Sequence, residues 1–278
     1  MTLPALAALA GVGIAVGFLS GLVGVGGGVL IVPFLYFFYA HPELSGYGLP
    51  AALEASVPHA TSLFIIVPTA VVGTIAYARA GLVAWQVAVP IAIASVVAAA
   101  AGANLALVLP PEVLKLAFGV FLLLTAAQLI GREPPGAGGQ PLRLGWRVIV
   151  PTGLVVGLLS ALLGVGGGII AIPLFLHVVR LDIDRVAATS LAVVTIAASA
   201  GTLTYVLAGW TDPGAPAGSL GYVHATVALP ILIGSLATVR LGTRVNQRVN
   251  RRTLRWIFAM VFLVLGGRLV VLSALRLF

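Results

Sequence analysis

The 278 residues are 60% hydrophobic and only 8% charged, with a mean hydropathy of +1.17, which excludes an ordinary cytosolic enzyme. Fifteen basic and seven acidic side chains cannot cover the exterior of a fold this size, so a lipid bilayer must solvate much of the surface. The absence of cysteine excludes a disulfide scaffold, a thiolate-held cluster and a cysteine nucleophile, and the net charge of +8 punctuates apolar stretches in the manner of a membrane protein, not of a nucleic-acid-binding domain.

In chain order, the sequence begins MTLPALAALAGVGIAVGFLSGLVGVGGG, with no basic n-region. It reads as a first membrane element, a cleaved signal peptide being the alternative. This first element covers about residues 3–39. A continuous helix of that length would be roughly 55 Å long, too long for one crossing. GVGGG at 24–28 lies inside it, with Pro33 five residues later. Four glycines in five positions cost roughly 3 to 4 kcal/mol of helix propensity, so a break between two shorter helices is expected. Three apolar elements of membrane-spanning length follow, at about 56–78, 83–109 and 113–131.

After a Gly/Pro-rich linker at 132–147, the chain repeats itself. Gly17–Leu35 aligns without gaps to Gly157–Phe175 with ten identities in nineteen positions, GVGGG included. ATSL at 60–63 recurs at 188–191, Gly73, Tyr77 and Gly81 match Gly201, Tyr205 and Gly209, and Pro90 and Ser95 match Pro230 and Ser235. The second set of elements falls at about 147–179, 187–208, 220–240 and 254–275. The domains are therefore a first membrane repeat at 1–131, a cytoplasmic linker at 132–147 and a second membrane repeat at 148–278.

Charge placement orients the repeats. Arg240, Arg244, Arg248, Arg251 and Arg252 mark one loop as cytoplasmic. Counting back puts the Asp212 loop outside and the Arg180–Arg185 loop inside. If each glycine-broken element enters and returns, the linker with Arg132, Arg143 and Arg147 also lies inside, Arg79 inside, and the Lys115 end and the loop 41–54 outside. Each repeat then reverses direction an odd number of times. The expected fold is an all-α polytopic membrane protein of two inverted-topology repeats, each a glycine-broken helical hairpin plus three transmembrane helices, about eight membrane segments in all. The protein is expected in the cell inner or plasma membrane, multi-pass, with both termini outside the cytoplasm. Trp85, Trp146, Trp210, Tyr222 and Trp256 fall near element ends, as interfacial aromatics do.

The chemistry-bearing candidates follow from the breaks. Gly13, Gly17 and Gly21, and Gly153, Gly157 and Ala161, have the small-xxx-small spacing of close helix packing. Nonhelical backbone at membrane depth is tolerated only where protein or a water-filled cavity surrounds it. The helix after each break presents N–H groups and a positive dipole end suited to an anion; Gly26, Gly27 and Gly28 and their mates Gly166, Gly167 and Gly168 are the candidates, with a purely structural hinge as the alternative. The run is neither a Walker A loop, since Val29 follows Gly28, nor a dinucleotide fingerprint in a βαβ unit. Thr61, Ser62, Thr189 and Ser190 either cap or back-bond their helices or donate neutral hydrogen bonds to the same anion. Asn104 and Asn246 offer further polar contacts, Asn246 alternatively lying in the basic loop. Glu54 and His59 are the candidates for ion or proton coupling; His59 either relays a proton or titrates at the outer rim. Arg268, within FLVLGGRLVVL, either snorkels outward or faces the bundle toward substrate or Glu54. No carboxylate pair, zinc motif or triad stands on the apolar elements, so no catalytic residue, metal or cofactor is expected.

The pattern GxxSGLxGVGGGxxxVP at 17–33, repeated less fully at 157–173 and trailed by ATSL, resembles the TauE/SafE sulfite exporter family of membrane permeases over nearly the whole chain. That resemblance implies a transporter whose partner is a small inorganic or organosulfur anion such as sulfite, thiosulfate or sulfoacetate, together with a coupled proton or cation if it works in uptake. An anion channel and a non-transporting membrane scaffold or assembly protein are the alternatives. The departures are Ala161 at the Gly21 position and Ala187 opposite His59, so the halves are expected to contribute unequally to the ligand.

Overall fold

The computed structural model describes residues 3–23, 26–131, 141–246 and 251–277. It is an all-α bundle with one two-stranded hairpin among the described residues. The first half comprises α1 (Leu3–Val23), α2 (Gly28–Tyr39), the short α3 (Pro42–Ser45), α4 (Ser56–Arg79), α5 (Trp85–Val108) and α6 (Pro111–Gly131). The second comprises α7 (Trp146–Leu163), α8 (Gly168–Leu174) running into a π turn at Phe175–Val179, α9 (Ile183–Ala208), strands β1 (Ser219–Leu220) and β2 (Val223–His224), α10 (Ala225–Asn246) and α11 (Arg251–Leu277). Among the described residues, seven helices are long and apolar enough to cross a membrane: α1, α4 with its lead-in, α5, α6, α7, α9 and α10. In α11 the described apolar stretch is Ala259–Leu275. The linker residues 132–140, Gly24, Val25 and Arg248 lie outside the described residues; Trp146 and Arg147, expected in the linker, already belong to α7.

Each long first element is broken where its glycines stand. Gly26 and Gly27 take φ of 85° and 80°, Gly166 and Gly167 of 77° and 82°, a left-handed conformation that costs other residues roughly 1–2 kcal/mol. The chain turns back there: a Cβ on Gly27 would touch Val16 and Ser20 of α1, and one on Gly167 would touch Val156 and Ser160 of α7. The second-half helix α10 begins later than the pattern suggested, at Ala225, because Gly218 and Gly221, both at positive φ, close the β1–β2 hairpin over residues expected to be helical.

The principal helix pairings come in matched sets. α1 packs along α10 and its mate α7 packs along α5; α4 packs on α9 and α6 on α11, each against its own mate; α5–α9 is matched by α10–α4. The first long helix of each half thus lies against the third long helix of the other. Glycine permits this approach. A Cβ on Gly17 would lie 2.1 Å from the Ser235 carbonyl oxygen, and one on Gly157 2.1 Å from that of Ser95. Buried phenols repeat the correspondence: Tyr77 donates to the Gly21 carbonyl at 2.7 Å and Tyr205 to the Ala161 carbonyl at 3.0 Å. Tyr77→Phe and Tyr205→Phe should each lower stability by about 1 kcal/mol, the usual net value of such a bond, read as a shift in thermal unfolding in detergent.

The loops sort to two ends. The Arg185 guanidinium donates to the Gly81 carbonyl at 3.4 Å and the Arg143 amide to the Val179 carbonyl at 3.0 Å, so three basic connections gather at one end. At the other, Gly214 approaches Leu53, bringing the Asp212 loop beside the segment that ends in Glu54. There the Asp212 carboxyl is held below its usual range by the Gly214 amide and the Tyr222 hydroxyl.

Candidate functional site

The two breaks meet at the centre of the bundle. A Cβ on Gly28 would lie 2.6 Å from the Cα of Val165 and 2.8 Å from the Gly164 carbonyl oxygen, atoms of the opposite break. Cβ atoms on Gly26 and on Gly166 would meet the same two side chains, Ile66 and Val194. These are mates from α4 and α9, and both are fully buried. They fill the space between the breaks. Gly27 and Gly167 precede α2 and α8 as N-caps with no side-chain cap, so the glycine candidates from both halves lie together around one apolar plug.

The four hydroxyl candidates are fully buried, the two serines against backbone at the second break and the two threonines toward opposite ends of the bundle. They do not cap their own helices. Thr61 accepts the amide of His224, just before α10, and Thr189 accepts the amide of Ala84, just before α5, both at 3.0 Å. Each threonine therefore fastens the start of a helix from the other half. Ser62 donates to the Gly164 carbonyl of the other half at 2.7 Å, and Ser190 donates to the Gly168 carbonyl at 3.3 Å. Asn104 lies away from this centre, exposed and bonded to Ala100 of its own helix. Asn246 is the last residue of α10 and donates to the Leu22 carbonyl of α1, so it belongs to the helix pair and not to a loop.

Toward the Glu54 end a cavity of about 270 Å³ opens, lined by Tyr36, Tyr39, Glu54 and Lys115 with the loop at Pro42, Gly48 and Leu49. α2 builds one wall: its YFFY sequence places Tyr36 and Tyr39 three residues apart, on one face. Each phenol is tied to a buried histidine. Tyr36 Oη lies 2.5 Å from His59 Nε2, and Tyr39 Oη lies 2.7 Å from His224 Nδ1. Thr61 also lies close to the Tyr39 phenol, and the Tyr47 ring stands edge-on to His224 at 4.4 Å.

His59 is not at the rim. It has no exposed surface, because α2 covers it on one side and the second break on the other, where a Cβ on Gly164 would fall 2.7 Å from its Cα. The backbone of Leu162 lies near enough to act on the ring, yet Nδ1 has no hydrogen-bond partner. The Nε2 of His224 is likewise buried and unpartnered.

The opposite wall is α6. Lys115 is only 9% exposed, and its Nζ lies 2.6 Å from Glu54 and 2.9 Å from Glu112. It also stands 5.9 Å from the centre of the Tyr36 ring. Glu54 thus pairs with Lys115, while Arg268 stacks 5.6 Å from the Phe37 ring and lines a neighbouring groove between α2, α6 and α11. Sequence reasoning used Lys115 only as a topology marker and passed over Tyr36, Tyr39 and His224. The available signal was the mismatch between halves: Tyr36, Tyr39 and His59 stand opposite Leu176, Val179 and Ala187.

Comparison with known proteins gives a consistent result. The model of the family described as sulfite exporter TauE/SafE matches residues 9–269. A probable membrane transporter protein of Methanocaldococcus jannaschii is 27% identical over 260 residues, covering 92% of this chain and 91% of its own. A probable membrane transporter protein of Haemophilus influenzae is 26% identical over 262 residues, covering 92% and 94%, and the probable membrane transporter protein YunE of Bacillus subtilis is 24% identical over 275 residues, covering 93% and 94%. No solved structure matches the chain.

Proposed function

Because the chain belongs to the sulfite exporter TauE/SafE family and is a multi-pass membrane transporter and not an enzyme, we propose that it carries a small sulfur oxyanion, such as sulfite or an organosulfonate, by alternating access. The matched helix pairings carry this reading. Two halves that exchange their first helices and meet at paired breaks have two equivalent ways of tilting, which suits inverted repeats rocking about a central site. On this reading α1–α2 and α7–α8 are hairpins that enter and return, α11 completes eight segments, and the end gathering Arg79, Arg143 and Arg185 is cytoplasmic, with both termini outside. The shared end of the basic connections supports that orientation.

The anion is held between Gly26–Gly28 and Gly166–Gly168 when the breaks part, by amides at the starts of α2 and α8 and by Thr61, Ser62, Thr189 and Ser190. These hydroxyls have backbone partners in the closed state, so they exchange one partner for another and are never left bare in the interior. The plug of Ile66 and Val194 favours a carrier over an anion channel, because it fills the centre. An interior-negative potential favours exit of a monoanion by about 2.3 kcal/mol per 100 mV; uptake instead draws on a coupled proton, for which Glu54 and His59 are the candidates.

Proteoliposomes loaded with sulfite, sulfoacetate or taurine test the proposal. Saturable flux of at least one anion, accelerated by a potential of the right sign, is expected; no flux across the panel sinks it. The Ile66→Ala, Val194→Ala double variant should convert saturable flux into a non-saturating leak, while lowering stability by about 2–5 kcal/mol through cavity formation.

A further inference from the structure

The cavity at the Glu54 end has the composition of a binding site, and it is one-sided. Its polar wall groups come from α2, the connecting segment before α4, and α6, whereas the mates of Tyr36, Tyr39 and His59 are Leu176, Val179 and Ala187. A symmetric packing need would not place two phenols, two buried imidazoles and a buried ammonium at one end only.

We propose that Lys115, with the Tyr36 and Tyr39 hydroxyls, is a receiving site for the transported oxyanion, and that Glu54 occupies the Lys115 ammonium as a built-in substitute for that anion. The inference rests on the transport reading and adds a second station to it, between the Glu54 end and the paired breaks.

Lys115 carries the argument. An ammonium this buried needs anionic partners, and it has two of unequal character. Glu112 is three residues earlier on the same helix and follows Lys115 wherever α6 goes. Glu54 comes from the connecting segment after Ala51–Leu53, and its side chain is 38% exposed against 21% for Glu112. The Glu54 carboxylate is therefore the partner that can leave. Lysine with two carboxylates carries a net charge of −1, so an oxyanion enters by displacing Glu54 and not by adding to it. Two or three oxygens around a central atom offer the same acceptor groups as the carboxylate they replace.

The phenols complete the site. With Nε2 of His59 and Nδ1 of His224 as the protonated nitrogens, each imidazole donates to its phenol oxygen, and each phenol O–H is left to donate into the cavity. Beyond His59 lies Gly164 of the second break, which gives an anion released from Lys115 a short route to the centre.

Sulfite binding to the purified full-length protein in nanodiscs, by calorimetry and thermal shift, tests the assignment beside proteoliposome flux of the same variants. Lys115→Met should weaken binding at least about tenfold, the loss of one charge-assisted hydrogen bond, and Lys115→Arg should retain most of it. Glu54→Gln should tighten binding several-fold, because the competitor has lost its charge. Tyr36→Phe should weaken binding about three- to tenfold. Binding to Lys115→Met within twofold of the wild type, with sulfite flux intact in the wild type, overturns the site and leaves the transport reading standing. Weaker binding in a well-folded Glu54→Gln also overturns it, and this arm decides should Lys115→Met fail to fold. Absence of both binding and flux in the wild type removes the site together with sulfite as substrate.

Discussion

Gly17→Ala is expected to destabilise the protein by about 2–4 kcal/mol, although alanine is the better helix former by up to about 1 kcal/mol. The added methyl would lie 2.1 Å from the Ser235 carbonyl oxygen and 2.4 Å from its Cα. Both are backbone atoms, so no side-chain rotation relieves the overlap. α1 and α10 must separate along their whole contact, with the loss of the Thr238 bond to the Ile14 carbonyl and of packing on both sides. Gly157→Ala should behave alike against Ser95. Gly11→Ala is the internal control: it lies on the same helix, a Cβ there meets nothing within 4 Å, and it should leave stability unchanged or raise it. Thermal unfolding of the three variants in one detergent checks the signs. Equal effects at Gly11 and Gly17 would show that the glycines matter through helix propensity and not through approach. The second half already shows what a methyl requires: Ala161 stands at the Gly21 position and is received by Gly201, where a Cβ would come within 3.0 Å of it.

Gly27→Ala and Gly167→Ala, singly and together, are expected to reduce transport at least about tenfold while leaving a folded protein. Their φ values of 80° and 82° cost alanine roughly 1–2 kcal/mol each, and the new methyls press on Val16 and Val156 at 2.6 and 2.9 Å. The nearest contacts are with side-chain methyls, which can yield, and the nearest backbone atom, the Val156 carbonyl oxygen, is 3.1 Å from the Gly167 position, so unfolding is a smaller hazard here than at Gly17. What changes is the geometry at the start of α2 and α8, on which the proposed central site depends. Flux in proteoliposomes, read beside the melting temperature, separates the cases. Full flux in a normally folded double variant would reduce the breaks to packing devices and favour the scaffold reading.

What was legible in the sequence was whatever depends on short stretches of chain. GVGGG cannot sustain a helix, and the breaks fall on it; small residues four apart allow helix contact, and Gly13, Gly17 and Gly21 all meet α10 backbone. The glycines of the two breaks lie against each other, but the bonding of the hydroxyls differs from what local capping rules suggest, since Thr61 and Thr189 reach across to residues 163 and 105 positions away. The ion cluster was not legible. Glu54 and Lys115 are separated by 61 residues, and only the docking of α6 against the segment before α4 makes them a pair. His59 follows closely on the loop 41–54 expected outside, and it is buried because α2 folds back over it. The hairpin at 219–224 was hidden by an apolar stretch whose two glycines carry the turn geometry.

The exchange of first helices also constrains how the protein is made. α1 leaves the ribosome more than two hundred residues ahead of its partner α10, so the Gly13, Gly17 and Gly21 face must wait in lipid, or against a surrogate, until α10 is made. The first half alone lacks the surface that covers α1, and the second half alone lacks α5 to cover α7. Each half is thus an incomplete folding unit, and insertion of α1 into the membrane precedes its packing by the time taken to translate the residues up to α10.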